Sequence, residues 1–170
     1  MLVGLVLACS SSAAGSTTHS VASPSPDQAG QNYVAIVHDF WLREQEADVV
    51  SGRFNLAAKV CLGVDPPGTA TRLELVDPPA CRERAVALLA NHEEFLADLA
   101  GAQPPPKMVS DDQTFRTQLP KTIADLKALI TATGTRSKQA VLQAANAYNA
   151  DMYPTVTDAL NDVDPSVSHP

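Results

Sequence analysis

The sequence predicts an all-α fold, an up-down-up-down antiparallel four-helix bundle over residues 31–163. Three observations predict it. The apolar content of 45% is made mostly of Ala, Leu and Val with only 5% aromatic residues, a composition that favours helices over sheets. Apolar residues recur at helical spacing in four long stretches. The breaks between those stretches are mostly short and carry Gly, Pro and capping residues. No segment alternates well enough to compete as a strand, although Thr71 to Val76 could pair briefly within a loop.

The first predicted helix runs from Gln31 to Leu62. Positions at 100° intervals place Ile36, Phe40, Ala47, Val50, Phe54, Ala58 and Cys61 on one stripe, flanked by Val34, Val37 and Trp41. Its first third is apolar nearly all round. Phe40 and Trp41 are therefore read as core beneath another segment, the alternative being an exposed docking patch. Gly63 to Pro79 then breaks the period with four prolines and two copies of Val-Asp-Pro-Pro, a long connection for a compact domain.

Asp77 followed by Pro78 suits an N-cap and first helical position, so the second helix is predicted to run from there to about Ala100. Gly101 and Pro104-Pro105-Pro106 close it. Its stripe is Cys81, Ala85, Leu88, Leu89, His92, Phe95, Leu96 and Leu99. Ser110 with Gln113 three residues on predicts a capping-box start for the third helix. That helix presents Phe115, Leu119, Leu126, Leu129 and Ile130, ends at Gly134, and is expected to kink at Pro120. The fourth is predicted from Arg136 to Val163 with Val141, Ala145, Tyr148, Met152, Val156, Ala159 and Val163 inward, bent at Pro154. Asp164 to Pro170 is expected to fray as a flexible tail.

Ahead of the bundle, residues 10–30 hold nine Ser/Thr and two Ser-Pro steps with almost no large apolar side chain, the composition of a disordered tether. As a flexible coil it reaches roughly 25 Å. Residues 1–9, Met-Leu-Val-Gly-Leu-Val-Leu-Ala-Cys, are an apolar run closed by a small residue and Cys9. The run is too short to span a bilayer and reads as a processing signal.

Val6-Leu7-Ala8-Cys9 resembles the lipobox of bacterial lipoproteins. The resemblance covers nine residues and concerns address, not activity. It implies that residues 1–8 are removed as a signal peptide, that Cys9 is lipidated, and that the domain sits on the cell membrane facing the periplasm or the cell exterior. Ser/Thr/Pro stretches like residues 10–30 can be glycosylated in actinobacterial lipoproteins. Three cysteines are an odd count for an exported chain. Assigning Cys9 to lipid leaves Cys61 and Cys81 as a pair in an oxidising compartment. A bridge across a loop of about 21 residues would stabilise by roughly 3 kcal/mol. Two buried thiols are the alternative.

A net charge of -7 with no Lys/Arg cluster repels phosphate backbones, so no nucleic-acid partner is expected. No Gly-rich phosphate loop, Gly-x-Ser-x-Gly elbow, His-Glu-x-x-His, Cys-x-x-Cys-His or paired Glu-x-x-His occurs. No catalytic residue, cofactor or metal site is therefore assigned, and the chain is not expected to be an enzyme. Two residues interrupt the apolar stripes: His92 at the centre of the second helix and Arg43 near the centre of the first.

Pinning Cys61 opposite Cys81 and counting along each helix puts His92 level with Val50, Pro120 and Tyr148, with Met152 a turn away. Arg43 falls near Leu99 and Val156. His92 is read first as a core histidine bonded to the Tyr148 hydroxyl or a backbone carbonyl. The candidate ligand-binding set is His92, Tyr148, Met152 and Arg43. In that reading His92 and Tyr148 orient a small ligand, or His92 and Met152 hold a soft metal or haem. Arg43 is read first as lying along the core and pairing with an acid. The acidic runs Glu44, Glu46, Asp48 and Glu93, Glu94, Asp98 are read as solvated outer faces. The function expected is a membrane-anchored, non-enzymatic module that binds a protein or envelope component, the alternative being a carrier or sensor built around His92.

Overall fold

The computed structural model describes residues 25–48, 58–64 and 70–167, and every regular element among them is helical. Residues 1–24, with the expected signal, Cys9 and most of the tether, lie outside the described residues, as do 49–57 with Val50 and Phe54.

Helix α1, Pro26–Asp48, starts five residues before the apolar period does. Ser25 Oγ accepts the Gln28 amide at 3.3 Å, Pro26 takes the first helical position and Asp27 lies in the first turn. These start signals act on the backbone whether or not the next residues are apolar. Residues 26–30, expected to belong to the tether, are therefore helical. The buried stripe is Tyr33, Val37, Phe40, Trp41 and Glu44, displaced from the predicted one, with Ile36 at its half-buried edge.

Ala58–Leu62 forms a single π-helical turn. Gly63 follows at φ +66°, where a Cβ would collide with the Arg72 carbonyl, so the backbone needs glycine here. Arg72 N donates to the Gly63 carbonyl and Asp77 N to the Val60 carbonyl, both at 2.8 Å. Thr71 to Val76, considered for brief strand pairing, instead contains a 3-10 turn, Leu73–Leu75. The Cys61–Cys81 disulfide, with Cα atoms 5.0 Å apart, ties the π turn to the start of α2.

Helix α2, Pro78–Gly101, has the expected cap: Asp77 accepts from Ala80 N at 3.3 Å, with proline next in the chain. Cys81, Ala85, Leu88, Asn91, His92, Phe95 and Leu99 are buried. A 3-10 turn, Pro106–Met108, leads straight into α3, Val109–Gly134. The prolines have already set helical φ before Ser110 is reached, so the capping box does not form, and Ser110 instead offers its carbonyl to Thr114 Oγ1 at 3.1 Å. Pro120 lies inside α3 without ending it. Gly134 is the last helical residue, but the left-handed position beyond it belongs to Arg136, at φ 57°.

The predicted fourth helix is two. Helix α4, Lys138–Met152, is capped by Ser137, which accepts from Ala140 N at 3.2 Å. The cis Tyr153-Pro154 peptide separates it from α5, Thr155–Val163. Proline offers no N–H to continue the α4 ladder, and Pro154 becomes the N-terminal cap residue of α5. The chain beyond α5 does not fray at once as expected. Asp164 and Val167 are buried, Val167 within the core.

Two apolar clusters make the core. One is aromatic, with Tyr33, Phe40, Trp41, Phe95 and Phe115 packed among Leu99, Leu119, Met152 and the α5 residues. The other is small and aliphatic, with Val60, Val76, Ala85, Leu88, Leu126, Leu129, Val141 and Ala145 around the disulfide. The sequence passes from one to the other at a polar residue each time. Asn91 and His92 lie between Leu88 and Phe95, Thr122 between Leu119 and Leu126, and Tyr148 between Ala145 and Met152.

Candidate functional site

That polar layer is the candidate site. His92 is wholly buried. Its Nδ1 lies 2.8 Å from Thr122 Oγ1, and the Thr122 hydroxyl proton goes to the Leu119 carbonyl at 3.0 Å. Thr122 can therefore only accept from His92, which places a proton on Nδ1. Nε2 faces Glu44 Oε1 at 3.4 Å and the Tyr148 hydroxyl at 3.3 Å. Tyr148 donates to the same Glu44 oxygen at 2.8 Å. Asn91 Nδ2 donates to Glu44 Oε2 at 2.9 Å and to the Phe40 carbonyl at 3.1 Å. Phe40 meets the His92 ring edge-on, centroids 5.2 Å apart, and stacks on Phe95 at 4.2 Å.

Arg43 closes the layer toward solvent. Its Nε donates to Asn91 Oδ1 at 3.0 Å and its Nη1 to Glu94 at 2.8 Å, with Asp98 at 3.9 Å. The layer is thus a chain of hydrogen bonds from surface carboxylates through Arg43, Asn91 and Glu44 to His92, Tyr148 and Thr122. Chains of this kind are stable when each member is satisfied and costly when one is not.

The structure brings His92 and Tyr148 together and sets Arg43 beside His92's neighbour Asn91, with its far end toward Asp98, next to Leu99. Met152 is buried in the aromatic cluster. On α1 the residue that meets His92 is Glu44, and Val50, expected level with it, lies outside the described residues. Glu44 is also the main correction among the acidic runs: expected on an outer face, it is only 7% exposed. Its charged neighbours hid it, and its spacing of four from Phe40 was the available signal.

Other polar groups are spent on joining segments. The Tyr33 hydroxyl donates to Asp112 at 3.0 Å, and Arg116 Nε donates to the same carboxylate at 2.7 Å. Burial, then the Asp112 charge, pushes the Tyr33 phenol well above its ordinary range. The hydrogen bond to Asp112 raises Arg116. Arg116 also donates to the Leu99 and Ala102 carbonyls at the end of α2. Burial, with Asp162 nearby, raises the Asp111 carboxyl.

His38 Nδ1 pairs with Asp164 at 2.7 Å, and Ser166 donates N–H and O–H to the other Asp164 oxygen at 3.0 and 2.7 Å. Burial pushes Asp164 up, but its bonds from Ser166 and His38 outweigh burial and hold it below the usual carboxylate value. Asp164 therefore stabilises the fold above the ordinary carboxylate range, and that contribution is lost as pH falls through its depressed value.

Open concave surface flanks the first turns of α1. One groove, about 950 Å³, lies between Tyr33, Ile36, Ala97 and Pro104 to Pro106. A second, about 760 Å³, runs past Val34, Ala35, His38, Lys107 and Asp164. Neither includes His92. Among the described residues no three His, Cys, Asp or Glu side chains group to hold a metal, and no helix is long and apolar enough to cross a membrane. No protein-family model, curated protein or solved structure matches the chain.

Proposed function

We propose that the chain is a membrane-anchored lipoprotein of the bacterial cell envelope, held by a lipid on Cys9, whose helical domain binds a protein or another envelope component without turning over a substrate. The observation that carries the non-enzymatic reading is the enclosure of His92. It is wholly buried and packed against Thr122, Glu44 and Tyr148, and the two grooves beside α1 are lined by other residues. A catalytic or ligand-holding group needs a path to solvent. The same enclosure weighs against a carrier built on His92 and Met152.

In this reading α1, α2, α3 and the α4–α5 pair form the up-down-up-down bundle. The three-residue link Thr135–Ser137 between α3 and α4 supports it, since so short a link favours antiparallel neighbours. In the same reading α3 bends at Pro120, which leaves the Arg116 carbonyl without its helical donor. The test is fractionation in a bacterial host. The intact chain partitions into membranes, and Cys9→Ser releases the domain to the soluble fraction. Equal partitioning of the two would overturn the anchored reading.

A further inference from the structure

One buried side-chain oxygen among the described residues has no hydrogen-bond partner, Asp125 Oδ2 in α3. The Asp125 carboxyl has a second carboxyl beside it, Asp151 of α4. Two ionised carboxylates cannot satisfy one another, because neither has a donor. A single proton between them removes the conflict, since one carboxyl then donates and the other accepts.

Most charged side chains on the elements around the pair have partners of their own. From α2, Glu93 binds Lys127 of α3 at 2.8 Å, Arg82 binds the Ile130 carbonyl at 3.0 Å, and His92 lies in the polar layer. On α3 itself, Lys121 reaches Gln118 at 3.0 Å. From α4, Tyr148 is bonded to Glu44. From the π turn against α4, Lys59 carries a contact of its own. From α5, Asp162 acts on Asp111, and Asp158 lies in its first turn.

We propose that Asp125 and Asp151 share one proton and form a latch between α3 and α4 that loosens as pH rises. Burial first, then the bond and charge of Asp151, raise the Asp125 carboxyl above its ordinary value. The folded state thus binds the proton more tightly than the unfolded chain. The latch is fully present below the ordinary aspartate range and is lost as pH rises through the raised folded value. The pair lies one turn along α3 from Thr122 and one turn along α4 from Tyr148, so loosening it slackens the contact that seats the polar layer.

Asp125→Asn keeps a donor toward Asp151 at every pH and is the variant to compare. Thermal melts of the full chain from pH 4 to pH 8 are expected to converge near pH 4, with the variant melting higher by about 3 °C at pH 7.5. Parallel curves would overturn the latch. So would a rise in the wild-type melting temperature on adding millimolar calcium or magnesium at pH 7.5 that Asp125→Asn lacks, since the pair would then be a cation site. Carboxyl carbon NMR of the wild type reads the proton without a variant. The latch requires one of the two aspartates to titrate above the ordinary carboxylate range, and ordinary independent titration of both overturns it.

Discussion

Toward α5, five aromatic rings from α1, α2 and α3 interlock, with Phe95 stacked on Phe40 and edge-on to Phe115 at 5.4 Å. Toward the π turn the core is built from Val, Ala and Leu around a covalent bond between Cys61 and Cys81. Large rings bury 150–250 Å² each and hold their region by area. The small-residue region has less area to bury, and the disulfide supplies what packing does not by restricting the unfolded chain. The Glu44–His92–Tyr148 layer lies between two regions stabilised by different means and gives the four segments that meet there one register. Buried polar groups commonly serve that specificity role at some cost in stability.

The largest expected effect probes the aromatic region. Phe95→Ala removes a wholly buried ring with two aromatic neighbours and should destabilise by about 3–5 kcal/mol in urea unfolding. A loss below about 2 kcal/mol would mean that area is not what holds this end. Replacing both Cys61 and Cys81 with Ser comes next, at about 3 kcal/mol. Hydrogen exchange sharpens that result: amides of the π turn, the start of α2 and α4 should lose protection before those of α1 and α5. Uniform loss across the chain would show one cooperative core instead of two regions. The smallest effect belongs to the layer between them. Tyr148→Phe removes the donor to Glu44 and should cost about 1–2 kcal/mol in the same urea assay, while a neutral result would leave the layer without a role in stability.

The apolar stripes of the last three predicted helices were legible because a helix buries residues by angle, and angle is written in spacing. The Asp77 cap was legible because its partner, Ala80, is three residues away. Ser110 misled for a related reason: its cap depended on where the helix began, and the upstream prolines moved that point. Glu44 was legible only as a position. Its spacing of four from Phe40 put it on the buried face, but its partners Asn91, His92 and Tyr148 come from helices 47 to 104 residues away. The neighbours of Asp125 and Asp164 were hidden likewise, because Asp151 and His38 lie on other segments.

The Asp164–Val167 segment, clasped to His38 while Val167 lies in the aromatic cluster, has a mechanical consequence. A tug on the chain ahead of Ser25 enters α1, and the clasp hands part of that load to the end of α5. A load shared between two helices has to break the contacts of both before either comes away. A domain hung from a cord at α1 would keep its shape under drag better than the length of that first helix alone suggests.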